Sequence, residues 1–132
     1  MKALLLATLL AATPCLAADE TPMTAAEFDA YVTGKTLTYS QFGSIFGTEE
    51  YLPDRRVRWA FTEDLCQYGL WYEAAGNICF EYENDPDPHC WTFWKDGDKL
   101  MALSVTDAPG SELSEVAQTD QPLACAGPDV GV

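Results

Sequence analysis

The chain has 132 residues and a formal net charge of −14, from 21 Asp and Glu against 7 Lys and Arg. So acidic a surface repels phosphate backbones and anionic lipid head groups, which argues against nucleic-acid binding and against attachment to a membrane surface. Its plainest consequence is solubility.

In chain order, residues 1–18 come first and read as a secretory signal. Lys2 supplies the positive start, and Ala3–Ala12 is an apolar stretch too short to span a bilayer as a helix. Small residues follow, with cleavage expected after Ala17 or Ala18. Cys15 invites a lipoprotein reading, but Pro14 would then occupy the scissile bond, so that reading is set aside. Residues 19–132 remain as a single exported domain, periplasmic or secreted. It keeps Cys66, Cys79, Cys90 and Cys125, an even set that predicts two disulfides in an oxidising compartment.

A helix is expected over about residues 25–33. Thr24 can cap the first amides while Glu27 reaches back to the Thr24 amide, and Met23 and Phe28 are spaced as the accompanying apolar staple. Gly34 offers a stop. Its expected task is to cover one end or side of a sheet. From Lys35 the pattern changes to short β-branched and aromatic runs separated by turn residues. These are Thr36–Ser40, Thr48–Leu52, Arg55–Phe61, Gln67–Glu73, Ile78–Glu83, Cys90–Lys95, Leu100–Val105 and Glu112–Gln118, the last also readable as a short helix. Pro53-Asp54, Gly76-Asn77 and Asp96-Gly97 suit tight turns. Asn84–Pro88 reads as a stiff acidic loop, and residues 119–132 as an irregular tail.

About eight strands with short connections predict a mainly β fold, an antiparallel meander that closes into a small barrel and so leaves no bare edge. Alternation agrees with this. Ile78, Phe80 and Tyr82 share one face against Glu81 and Glu83, and Val57, Trp59 and Phe61 alternate with Arg56 and Arg58.

Strand parity then assigns the cysteines. Cys66 and Cys90 stand at the starts of even-numbered runs and so at one end, whereas Cys79 opens an odd-numbered run at the other, where the chain leaves the last strand toward Cys125. The expected bridges are Cys66–Cys90 and Cys79–Cys125. A Cys66–Cys79 bridge is disfavoured, because the hairpin at Ala75-Gly76 pairs Cys79 with Tyr72.

No pattern of residues announces catalysis, and no cofactor is implied. His89, the only histidine, could act as a base oriented by Asp85 or Asp87, but no serine lies in a nucleophile motif. The acidic turns Glu83/Asp85/Asp87 and Asp96/Asp98 fall at opposite ends by parity and lack the spacing of a calcium loop. The aromatic residues are more informative. A barrel of this size is either just filled by side chains or holds one small ligand, and the candidate lining is Trp59, Phe61, Trp71, Phe80, Tyr82, Trp91 and Phe93. Gly69 can relieve crowding against a neighbouring ring. Arg55, Arg56 and Arg58 are three of the seven cations, and reflection about Pro53-Asp54 sets Arg58 opposite Glu49 as a cross-strand ion pair.

The segments TGKTLTY, EEYLPDRRVRWAF, GLWYEAAGNICFEYE, PHCWTFWKDGD and PLACAGPDVGV resemble a group of small exported proteins of alphaproteobacteria, over nearly the whole mature chain. That resemblance brings no established activity. In strand count and Trp-rich hairpins the chain also resembles lipocalin-like and streptavidin-like barrels. Bacterial metalloprotease inhibitors share such a barrel behind an inhibitory N-terminal arm, a region occupied here by the capped helix. The expected function is a non-enzymatic exported barrel that binds a small apolar or aromatic ligand. The alternative is a protein-interaction module, such as an inhibitor of an exported hydrolase. A ligand binder requires inward rings around a real cavity; an interaction module requires a filled barrel with an exposed apolar patch or a free arm. An enzyme requires His89 in a cleft beside a carboxylate or hydroxyl.

Overall fold

A computed structural model describes residue 12 and residues 20–62 and 65–125. The expected signal segment, apart from residue 12, lies outside the described residues, as do Cys15 and the tail beyond residue 125. Helix α1 spans Ala25–Val32 and is followed by β1 (Thr36–Gln41), β2 (Ser44–Tyr51), β3 (Arg56–Thr62), β4 (Leu65–Ala74), β5 (Asn77–Tyr82), β6 (Asp85–Asp96), β7 (Lys99–Ser104) and β8 (Leu113–Thr119). Each strand runs antiparallel to the next, and β8 pairs back onto β1 to close the barrel. The last run is therefore a strand, not a helix. No helix among the described residues is long and apolar enough to cross a membrane.

The expected capping box forms. The Glu27 amide donates to Thr24 Oγ1 at 3.1 Å, and the Thr24 amide donates to Glu27 Oε2 at 2.8 Å. So fixed, α1 directs the fully buried Phe28 and Val32 into one end of the barrel. The Phe28 ring lies 4.5 Å from Phe93, 5.1 Å from Trp71 and 5.7 Å from Tyr51, between centroids, plugging that end with residues of three strands. Tyr31 secures the plug by donating to Glu115 Oε2 at 2.7 Å, with the Lys35 and Lys95 ammonium groups 4.2 and 3.9 Å from its ring centre.

Two stretches depart from the sequence expectation. Asn84–Pro88 is not a loop. β6 begins at Asp85, and an irregularity opposite Phe80–Tyr82 absorbs Pro86 and Pro88, which cannot donate to a ladder. The turn after β2 is also longer than a two-residue reversal. Pro53–Arg55 forms a single 3-10 turn in which Asp54 and Arg55 both adopt positive φ. That one extra residue pairs Arg58 with Glu50, not Glu49. A one-residue slip exchanges the two faces of a strand, so Glu50 faces outward and Glu49 inward.

The earlier start of β6 also corrects both disulfides. Cys90 lies in mid-strand directly opposite Cys79, and these two are bridged. Cys66, at the start of β4, is bridged to Cys125. The expected Cys66–Cys90 and Cys79–Cys125 pairs do not form. Tyr72 faces Cys79, as expected from the hairpin at Ala75-Gly76. To reach Cys66, the chain after β8 runs as a strap across the outside of the barrel. Thr36 Oγ1 donates to the Gln121 carbonyl at 2.7 Å, and the Leu123 amide donates to Glu50 Oε2 at 3.0 Å. Arg58 Nε donates to the same carboxylate oxygen at 2.8 Å, while its Nη2 contacts that oxygen and the Leu123 carbonyl. The ion pair thus serves as the clasp of the strap as well as a cross-strand contact.

Non-reducing peptide mapping of the oxidised protein should recover Cys66–Cys125 and Cys79–Cys90 peptides. The bridges close segments of 59 and 11 residues. By loop entropy, urea titration should show a loss of about 4 kcal/mol for Cys66→Ser/Cys125→Ser and about 3 kcal/mol for Cys79→Ser/Cys90→Ser. Phe28→Ala, which empties the plug, should cost about 3–5 kcal/mol by the same measurement.

Candidate functional site

With one end plugged by α1, the barrel stays hollow toward the other. A cavity of about 200 Å³ is lined at its floor by Tyr39, Glu49, Tyr51, Phe80 and Phe93. Trp59, Tyr82 and Trp91 form walls, and Phe46, Phe61, Gln67, Asp85, His89 and Leu113 surround the mouth. Asp85 follows the β5–β6 turn, Phe46 the β1–β2 turn, and Phe61 is the next-to-last residue of β3. These positions all belong to the end opposite the β6–β7 turn, where Tyr31 also bonds the Asp98 carbonyl.

Six of the seven rings expected to line a pocket do so. The exception is Trp71, which points inward but packs under Phe28 at the plugged end, with the Arg55 guanidinium 4.4 Å from its ring centre. Phe61 lines the mouth while remaining 61% exposed, because a register shift between Ala60 and Thr62 takes it out of the ladder. It leans on Trp59 and Phe46 at centroid distances of 5.3 and 6.0 Å.

Two glycines make room for the walls. A Cβ at Gly47 would overlap the six-membered ring of Trp59, which lies flat across that position. A Cβ at Gly69 would overlap the Glu81 carbonyl and sit 2.8 Å from Tyr82 Cδ1, as the expectation of ring crowding required. Beside Gly47, Phe46 is the extra residue of a β-bulge, since Tyr39 and Ser40 pair with Gly47 and Ile45.

The residue the sequence reasoning missed is Glu49. It is 1% exposed inside an aromatic cavity. Its Oε1 accepts from the Tyr82 hydroxyl at 3.0 Å, and its Oε2 has no hydrogen-bond partner among the described residues. Burial pushes its carboxyl well above the ordinary 4.5, and the Tyr82 hydrogen bond only partly opposes this. The signal was present in β2. Tyr51 reads as an inward ring, and parity carries Glu49 with it; assuming a two-residue turn concealed this. The other two buried glutamates differ in kind. Glu50 is held by Arg58 and the Leu123 amide. Glu115 accepts from Tyr31, the Leu100 amide and Gln118. Near Glu49, the Tyr39 and Tyr51 hydroxyls share one hydrogen bond of 2.8 Å; burial raises both phenols well above 10.0.

At the mouth, His89 Nε2 lies 2.7 Å from Asp85 Oδ2. The hydrogen bond from His89, followed by that from the Asp87 amide, lowers the Asp85 carboxyl below its ordinary 3.8. His89 thus sits beside a carboxylate at the edge of a cleft, the arrangement an acid–base enzyme would require. The described lining contains no Ser, Thr, Cys or Lys to serve as a nucleophile. No cluster of three or more metal-ligating side chains occurs among the described residues. No family profile, no curated protein and no solved structure matches this chain.

Because Glu49 binds its proton more tightly when folded than when unfolded, its burial costs least below about pH 4.5 and progressively more as pH rises toward the folded value. Glu49→Gln should therefore gain stability relative to the parent protein as pH rises above that point, by at most about 1.4 kcal/mol per pH unit. Parallel urea titrations from acid to neutral pH check this; a difference constant with pH would contradict the assignment.

Proposed function

We propose that this protein binds a small, largely apolar or aromatic ligand inside its barrel, as an exported carrier or receptor. The observation that carries this reading is the hollow interior: the large rings surround space at the open end instead of filling it. The size of that space restricts the ligand. An apolar cavity of about 150 Å³ suffices for benzene, so 200 Å³ suits a single ring with a short substituent, not a fatty acid or a polycyclic compound. The two disulfides are compatible with an oxidising compartment.

A specific feature also favours the interaction-module reading. Phe42, Ile45, Leu65 and Val105 are all more than half exposed and stand with Phe61 at the open end. A partner protein seated on this rim would bury them. Native mass spectrometry of the protein recovered from the cells that make it separates the readings: a retained small molecule supports the first, a co-purifying chain the second.

One-ring aromatic compounds should quench the fluorescence of Trp59 and Trp91 in the oxidised protein. Gln67→Trp, which fills the mouth from a partly exposed position, should weaken that binding by about tenfold or more. Equal binding by the blocked variant would place the compounds elsewhere and contradict the reading.

A further inference from the structure

Resting on the ligand-pocket reading above, we infer that the occupant is an organic cation, a one-ring aralkyl or short alkyl ammonium whose nitrogen is held by the unpartnered Oε2 of Glu49. The cavity presents two carboxyl groups, Glu49 deep inside and Asp85 at the mouth, and no Lys or Arg among its described lining residues. Among the described residues Glu49 has no ion-pair partner, and its Oε2 has no hydrogen-bond partner. A buried polar atom without a partner is costly, and an ammonium N–H supplies what this one lacks. Tyr39, Tyr51, Trp59, Phe80, Tyr82 and Phe93 line the same cavity, and a cation over a ring face is attracted by the ring quadrupole. Desolvating an ammonium is costly unless it is paired, and Glu49 supplies the opposite charge within this cavity. The protein's −14 net charge draws cations toward it, and Asp85 marks the entrance.

Binding has a proton balance. In the empty cavity Glu49 tends to keep its proton; an incoming ammonium favours the carboxylate, so RNH₃⁺ enters and one H⁺ leaves to solvent. The groups facing Glu49 oppose this exchange little. Tyr82 from β5 donates to it, Tyr39 from β1 and Tyr51 on its own strand are neutral phenols, and Trp59 from β3 does not titrate. From β6, Asp85 is paired with His89 at the mouth, while Glu115 of β8 is committed to Tyr31 and the Leu100 amide. Affinity for the cation should rise with pH until Glu49 is ionised without it.

The test uses the oxidised full mature chain with benzylammonium, benzyl alcohol and benzoate, followed by calorimetry and tryptophan fluorescence. Benzylammonium should bind at least about tenfold more tightly than benzyl alcohol at neutral pH, and benzoate more weakly than either. Its affinity should increase from about pH 5 to about pH 8, with proton release seen as a dependence of the heat on the buffer's ionisation enthalpy. Glu49→Gln, shown by near-ultraviolet circular dichroism to keep its packed aromatic residues, should lose the preference for benzylammonium and the proton release together. If benzyl alcohol binds as tightly as benzylammonium, and Gln67→Trp still blocks both, the ligand-pocket reading stands and the cation inference fails; Glu49 then serves a neutral acceptor as a hydrogen-bond donor. If none of the probes binds, or Gln67→Trp blocks none of them, both readings fail.

Discussion

The pairing of β8 with β1 is the contact on which the rest depends. Once the sheet closes, every strand has a defined inside and outside, and a side chain's fate is decided by whether its position is odd or even relative to its neighbours. Leu37, Tyr39, Val57, Trp59, Ile78, Phe80, Phe93, Leu100 and Ala102 all take the inside and form one continuous core. Closure also leaves the two ends as the only places where the interior can meet solvent. Phe28 occupies one of them, which makes the other the mouth of a cup.

The same parity explains how an acidic residue came to lie in that cup. Val57 and Trp59 must face inward, so the length of the turn before them determines which glutamate faces Arg58 and which faces the cavity. With Asp54 and Arg55 both in the left-handed region, the turn holds one residue more than a tight reversal. Glu50 then meets Arg58 on the outside, where the strap to Cys125 covers and satisfies it. Glu49 is left inside, with Tyr82 as its hydrogen-bond partner among the described residues. A barrel stabilised solely for packing would gain by an apolar residue there; the binding role proposed above gives the carboxyl's second oxygen a partner. The strap and its disulfide hold the wall carrying Glu49 from behind.

Bulges and prolines gather around the mouth. The shift at Phe46–Gly47, the shift at Phe61 and the irregularity at Pro86–Pro88 all interrupt ladders near the open end. The first makes Phe46 the extra residue of a bulge and the second takes Phe61 out of its ladder. The last of them allows Asp85 to reach His89, four residues on, across the cavity's edge. The plugged end has irregular backbone of its own, in the Pro53–Arg55 turn and in the β1–β8 shift at Thr38/Tyr39, but there Phe28 of the capped helix fills the barrel.

The helix with its capping box, most of the strands, the closed barrel and the apolar sides of β3 and β5 were legible in the sequence, because each rests on local chemistry or on period-two alternation. So were six of the rings now found around the cavity. The disulfide pairing, the Arg58 partner and the inward carboxyl were not. All three depend on counting residues through turns, and a single extra residue in Pro53–Arg55, or a strand starting at Asp85 instead of Cys90, reverses the outcome. Sequence by itself determined which residues are suited to lie inside a small aromatic-rich barrel. Only the tertiary structure decided that the interior is hollow and that Glu49 shares it, because volume and register are properties of strands already paired.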